Sequence, residues 1–371
     1  VLTARMTSSV ITKDGVRLEY PWMFGRSYDL LFFFFPALLG IIFFALWRYT
    51  ALGTSAIWTI LLLEAFGAGA FHWGPTWFAY FDKKNRDYWK TQPFRMAVFY
   101  FGPFLIMTVC ILGNIYYPWL ITLVTMLWAL QHLIQQNVGI LLLYHNQGRG
   151  EAIVERPIEM RSQQVPSIFF ASIFYWRYFF GAPKNALCAF LGAVLLIASA
   201  YYVGKYIYLF TKQVREGATI NVPALGFWAL SVLAFLPFAF FGKRFDDSFL
   251  IPVTMHWFQY IGLNYMLVRN KYASGQASDE HRLNLPKFSP LALFFMTCGM
   301  GVLTLAIIKS TIHMPGVNPL MTQIIAGVYL GVANTHYMLD AFLWRFREEH
   351  ARKTILPFLL VQRKKLQSEV A

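Results

Sequence analysis

Apolar runs long enough to cross a bilayer recur along the whole chain, and no other feature restricts its fold so tightly. A hydrocarbon core of about 30 Å takes roughly 20 apolar residues as a helix. Backbone groups in lipid must be satisfied internally, which leaves helices or closed barrels. Ten runs can be drawn, at about 30–48, 55–80, 96–113, 117–144, 166–181, 185–211, 223–241, 248–268, 290–308 and 320–345. The fifth, "PSIFFASIFYWRYFFG", is short and holds Arg177, so nine spans is the alternative count. With 57% hydrophobic and 13% charged residues, against about 25% charged in soluble chains, the expected fold class is all-α: a polytopic transmembrane helical bundle. Residues 1–28 are expected as a cytoplasmic arm, 29–346 as one integral-membrane domain and 347–371 as a basic cytoplasmic tail.

The net charge of +14 sits in loops beside the apolar runs, where the positive-inside rule places cytoplasmic Lys and Arg. With the N-terminus inside, the inner loops include "DKKNRDYWKTQPFR", "KQVREG" and the tail "RFREEHARKTILPFLLVQRKKLQ", while outer connections such as "GNIYYP" carry few charges. The alternation puts both ends in the cytoplasm, and a bacterial inner membrane is the expected location. No nucleic-acid module accompanies the basic charge, and no such partner is expected. Cys110, Cys188 and Cys298 lie in apolar runs without CxxC spacing and read as small core residues.

Four of the eight histidines fall inside these runs: His72, His132, His256 and His336. Each precedes the first cytoplasmic charged or polar marker by 9 to 13 residues, so at about 1.5 Å per residue the imidazoles lie roughly 13–20 Å from the inner helix ends. They share one slab of the membrane. A single buried histidine is ordinarily a packing residue; several at matched depth mark function, because polar groups in hydrocarbon are costly. Polar residues follow at helical spacing: Gln135 and Gln136 after His132, Gln259 and Tyr260 after His256, and Asp340 four after His336, with Asn334 on the same run. Gln136, Gln259, Tyr260 and Asn334 are candidates to orient the imidazoles. Asp340 is a candidate ligand or base. Glu64, eight residues before His72, reads equally as a further ligand, a proton-path carboxylate or a neutral buried acid. His145 is left open as a member of the site.

Imidazoles with a carboxylate suit non-haem iron with open coordination positions, as one ion or two. The HxxxH and HxxHH boxes of the common membrane desaturases are missing. The stretches "HLIQQNVGILLLYH" (132–145), "HWFQYIGLNY" (256–265), "HYMLDAFLWRF" (336–346) and "FHWGPTWFAYFD" (71–82) resemble phrases in multi-spanning bacterial membrane proteins of no assigned function, over less than a fifth of the chain. That resemblance implies that His72, His132, His256, His336 and Asp340 form one constellation. In architecture alone, histidines scattered over spanning helices are similar to the bacterial retinal-forming carotene dioxygenases, which hold iron this way.

The leading expectation is an iron-dependent oxygenase, hydroxylase or desaturase acting on a lipid or isoprenoid, with a redox partner at the cytoplasmic face. Aromatic clusters such as "FFFFPALLGIIFFALW" would line a cavity for an apolar substrate, although packing and interfacial anchoring account for most of them. The alternatives are a haem b electron-transfer protein with two axial histidines, a proton- or metal-coupled transporter, an acyltransferase using one histidine, or a structural subunit of a membrane complex.

Overall fold

The computed structural model describes residues 11–13, 15–49, 69–148, 153–180, 186–240, 245–273, 288–312 and 316–360. Helix dominates throughout, as the apolar runs require. The chain divides into two compact units, each assembled from non-contiguous segments. The first takes residues 1–55, 133–256 and 360–371; the second takes 56–132 and 257–359.

In the first unit, β1 (Ile11–Lys13) and β2 (Val16–Glu19) form an antiparallel hairpin, and β3 (Thr219–Asn221) runs parallel beside β2. Gly15, at φ 80°, makes the turn that a side chain would resist. Helix α1 (26–49) contains a π-helical turn over Leu30–Phe34. The buried Asp29 carboxylate accepts from the backbone N–H groups of Met23 (2.6 Å) and Phe24 (3.1 Å), fixing how the chain enters α1. Later in the chain come α6 (Arg156–Phe180), α7 (Ala186–Arg215), α8 (Val222–Leu233) and α9 (Leu236–Phe240). Asn221 caps α8 by accepting from Ala224 N–H at 3.0 Å, with Pro223 in the first turn. Arg177, the residue that weakens the fifth apolar run, donates to the carbonyls of Phe238 (3.2 Å) and Ala239 (2.8 Å) at the end of α9. A cation in an apolar segment is thereby matched to helix-end carbonyls that have no intrahelical donor.

The second unit begins, among the described residues, with short turns in place of a long helix. A 3₁₀ turn (Phe71–Trp73), α2 (Gly74–Phe78) and a second 3₁₀ turn (Ala79–Phe81) lead to α3 (Lys83–Trp89). The rest of the expected run at 55–80, including Glu64, lies outside the described residues. Helices α4 (Pro93–Tyr116), α11 (Pro290–Ile312), α12 (Pro319–Leu343), α13 (Glu349–Thr354) and α14 (Leu356–Leu359) follow. Two helices, α5 (Pro118–Gln147) and α10 (Phe245–Val268), contribute residues to both units.

Backbone contact at glycines sets the geometry of the second unit. A Cβ on Gly327 of α12 would stand 2.6 Å from Ile111 Cα of α4, and one on Gly331 3.1 Å from Met107 Cα. Residues four apart lie on one face, so α12 and α4 approach along a groove of small residues. A Cβ on Gly74 would stand 2.3 Å from the Cys298 nitrogen, and one on Gly301 2.3 Å from the Ala70 carbonyl oxygen. Those two contacts lock the 71–78 turns against α11. Asn334 donates to Thr125 Oγ1 (2.7 Å) and Cys110 Sγ (3.3 Å), tying α12 to α5 and α4. At the end of the turns the buried Asp82 caps α3 through Lys84 N–H (2.8 Å) and binds Lys271 Nζ at 2.7 Å, with the Tyr272 hydroxyl donating at 2.5 Å. Tail residue His350 stacks flat on Tyr88 of α3, ring centres 3.8 Å apart. Burial holds its pKa down to about 4, so at neutral pH it is uncharged and donates Nε2–H to Asn85 Oδ1 at 3.0 Å.

Five helical stretches among the described residues are long and apolar enough to cross a membrane: Arg26–Leu46, Pro93–Tyr116, Ala186–Arg215, Val222–Ala239 and Pro290–Thr311. They mark a membrane protein. Helix α7 illustrates the surface involved, with Leu187, Phe190 and Ile197 each more than 60% exposed. The helices carrying His132, His256 and His336 are not among the five. Their Gln, Asn, His and Asp residues, among them the buried Asn137, His256, Gln259, Asn264, Asn334, His336 and Asp340, lower the mean hydropathy.

The Gly74 contact generates a stability prediction. Gly74→Ala is expected to destabilise the protein by at least the ~1–3 kcal/mol typical of overpacking, read as a lower thermal midpoint in detergent. Gly204→Ala on α7, where a Cβ meets nothing within 4 Å, is expected to leave the midpoint unchanged.

Candidate metal centre

The side chains that converge in the second unit come from the 71–78 turns, α5, α10 and α12. His72 sits in the 3₁₀ turn, where its Nδ1 is hydrogen-bonded to the Gly69 carbonyl. Four residues on, Thr76 places its hydroxyl 2.7 Å from His336 Nδ1, 2.9 Å from the Tyr260 hydroxyl and 3.3 Å from Asp340 Oδ1. Tyr260 donates to the same Asp340 oxygen at 2.7 Å. All of these residues are buried, Thr76 completely.

Thr76 has one proton to share among three close partners, His336 Nδ1, the Tyr260 hydroxyl and Asp340 Oδ1. On the other side of the ring, His336 Nε2 faces Asp340 Oδ2 at 3.7 Å, and His132 Nε2 faces the same oxygen at 3.8 Å. Asp340 Oδ2 is buried and has no hydrogen-bond partner, since both Thr76 and Tyr260 approach Oδ1. The ligand atoms of His132, His336 and Asp340 lie within 4.8 Å of one another. With metal–ligand bonds of about 2.0–2.2 Å, two donors on one ion stand up to about 4.4 Å apart. The 3.7 and 3.8 Å separations are too long for hydrogen bonds and fit a shared cation.

The imidazoles are close but not stacked. His336 lies 4.8 Å from His72 at 86° and 5.0 Å from His132 at 72°, with the Tyr260 ring 5.1 Å away. Tyr337 flanks His132 at 4.8 Å and Trp257 flanks His72 at 5.9 Å. The donors are nitrogen and oxygen only; Cys110 is occupied by Asn334 and Cys298 packs with Phe78 and Phe294.

Of the residues singled out in the sequence, His72, His132, His336, Asp340 and Tyr260 are brought together in this unit. His256 is buried on α10 one turn before Tyr260, at the last residue of the first unit. Its backbone carbonyl accepts from Gln136 Nε2 at 3.1 Å. Gln259 is buried beside Tyr260. Asn334 turns to Thr125 and Cys110, so its bonds hold helices together and none reaches an imidazole. His145 pairs with Glu159 in the first unit, Nε2 to Oε1 at 2.8 Å. Thr76 escaped the sequence reading. Its signal was there: it follows His72 by four residues, the spacing that picked out Asp340 after His336. No family model, curated protein or solved structure matches the chain.

Thr76→Val keeps the shape and removes the hydroxyl, leaving His336 Nδ1 and one bond to Asp340 unsatisfied. A loss of about 1–3 kcal/mol is expected, measured as a lower unfolding midpoint that Thr76→Ser largely restores.

Proposed function

We propose that the protein is an integral-membrane metalloenzyme whose ion is held by His132, His336 and Asp340, and that the ion is non-haem iron serving oxidation of a lipid or isoprenoid. The observation that carries this reading is the convergence of the His132, His336 and Asp340 ligand atoms within 4.8 Å of one another. His72 supplies a neighbouring imidazole.

The chain's own residues each have a task. Thr76 hydrogen-bonds His336 Nδ1 and holds its ring direction, as the hydrogen-bonded partners of metal-binding histidines commonly do. Tyr260 and Thr76 occupy Asp340 Oδ1 and commit Oδ2 to the ion. Trp257, Tyr260 and Tyr337 exclude water from the imidazoles. Iron bound there supplies the redox chemistry with oxygen, for which a nitrogen and carboxylate donor set with open positions is suited. Edge-to-face imidazoles in contact with Tyr260 favour an ion over haem b, which needs a flat slot between its axial ligands.

Ten spans with both termini in the cytoplasm, in a bacterial inner membrane, remain the topology that best distributes the loop charges. In that orientation a lipid substrate reaches the site from the bilayer and a redox partner meets the basic cytoplasmic loops.

Metal analysis with an optical spectrum on detergent-purified protein tests the reading. Stoichiometric iron without a Soret band is expected in the wild type, with most of it lost in His336→Gln and Asp340→Asn. Wild-type protein without metal, or with a Soret band, overturns it.

A further inference from the structure

The end of the second unit where α4 begins carries a charged grouping that shares no residue with the metal centre. Arg95, in the first turn of α4, lies over the Tyr88 ring of α3, its guanidinium carbon 3.9 Å from the ring centre. Arg345, just past the end of α12, lies over Phe342 in the same way at 4.4 Å. One carboxylate serves both cations. Glu348 Oε1 accepts from Arg345 Nη1 at 3.4 Å, while its Oε2 accepts from the Tyr88 hydroxyl at 3.1 Å and stands 3.9 Å from Arg95 Nη2.

Charge and donor count indicate what binds there. Glu348 balances one guanidinium and leaves the charge of the other uncompensated. Each guanidinium carries five N–H donors, yet among the described residues Arg95 bonds only Thr91 Oγ1, at 3.3 Å, and Arg345 only Glu348. Both side chains are partly exposed, at 22% and 27%, so the remaining donors are within reach of a ligand. Arg95, Glu348, Phe94 and Phe342 line a cavity of about 30 Å³, room for roughly two water-sized oxygen atoms. Planar donor forks held on aromatic rings beside such a space suit a phosphate. The surface below them decides which phosphate. Phe94 is followed on α4 by Phe101, Leu105 and Leu112, at 7, 11 and 18 residues, a spacing that sets all four on one helical stripe. They are 64%, 63%, 66% and 49% exposed, on a helix long and apolar enough to cross a membrane. Acyl chains cover such a stripe, and the phosphate at its head is then that of a phospholipid.

We propose that Arg95 and Arg345 bind the phosphate of an anionic phospholipid whose acyl chains lie along the exposed stripe of α4. Basic side chains beside a spanning helix attract anionic headgroups, and here two of them are set in place on rings before any lipid arrives. Bound there, the headgroup joins the start of α4 to the corner between α12 and α13. This inference is independent of the iron reading.

Dioleoyl-phosphatidylglycerol is the probe, titrated into delipidated full-length protein in uncharged detergent and counted by native mass spectrometry. Dioleoyl-phosphatidylcholine and inorganic phosphate are the parallel arms. The first bound phosphatidylglycerol is expected to outlast phosphatidylcholine, to resist inorganic phosphate at equal concentration, and to weaken about fivefold in each of Arg95→Gln and Arg345→Gln. Glu348→Gln moves the other way. It removes the nearby negative charge, keeps an acceptor for the Tyr88 hydroxyl and is expected to tighten binding, a gain that a poorly folded variant would not imitate. Equal retention of the two lipids, affinity unchanged by either arginine variant, weaker binding in Glu348→Gln, or displacement by inorganic phosphate at equal concentration would overturn the proposal.

Discussion

The ligand atoms of His132, His336 and Asp340 lie within 4.8 Å of one another, and the rest of the second unit is arranged around that convergence. One hydroxyl ties it together. Thr76 lies within hydrogen-bond distance of His336 Nδ1, the Tyr260 hydroxyl and Asp340 Oδ1. Tyr260 donates to the same carboxylate oxygen, which leaves Oδ2 facing His132 and His336. Buried polar groups are expensive when unmatched, so the helices that carry them are arranged around the match.

The fold holds that arrangement by backbone contact. Gly74 and Gly301 let the 71–78 turns meet α11, and Gly327 and Gly331 let α12 meet α4. His72 and Thr76 bracket the first contact; His336 and Asp340 lie about one and a half and two and a half turns beyond the second. Asn334 and Asp82 complete the fixation, each by satisfying partners on other elements. Long helices would serve less well for the first of these segments. A 3₁₀ turn, a single α turn and another 3₁₀ turn bring His72 and Thr76 inward within a few residues.

The helical class and the membrane setting were legible in the apolar runs, and so was the inward face of α12, because His336 and Asp340 at a spacing of four have no place against lipid. Matched depth also picked out His72 and His132. What the sequence hid were features that depend on backbone approach and on hydrogen bonds between elements distant in the chain. Asn334 looked like part of the site and is a helix tie, since a polar residue inside an apolar run says that it needs a partner without saying which. Thr76 was passed over because a threonine in an apolar run is ordinarily bonded to its own helix. Glu159, the partner of His145, lay in a stretch that read as a charged loop, and only the folded α6 buries it.

X-ray absorption at the iron edge of the purified protein is the most direct measurement of the central claim. A shell of nitrogen and oxygen scatterers at about 2.0–2.2 Å, with the outer-shell pattern of imidazole rings and no sulfur, is the result expected from His132, His336 and Asp340. Sulfur at about 2.3 Å, a porphyrin signature, or no iron edge in protein prepared without chelators would contradict it.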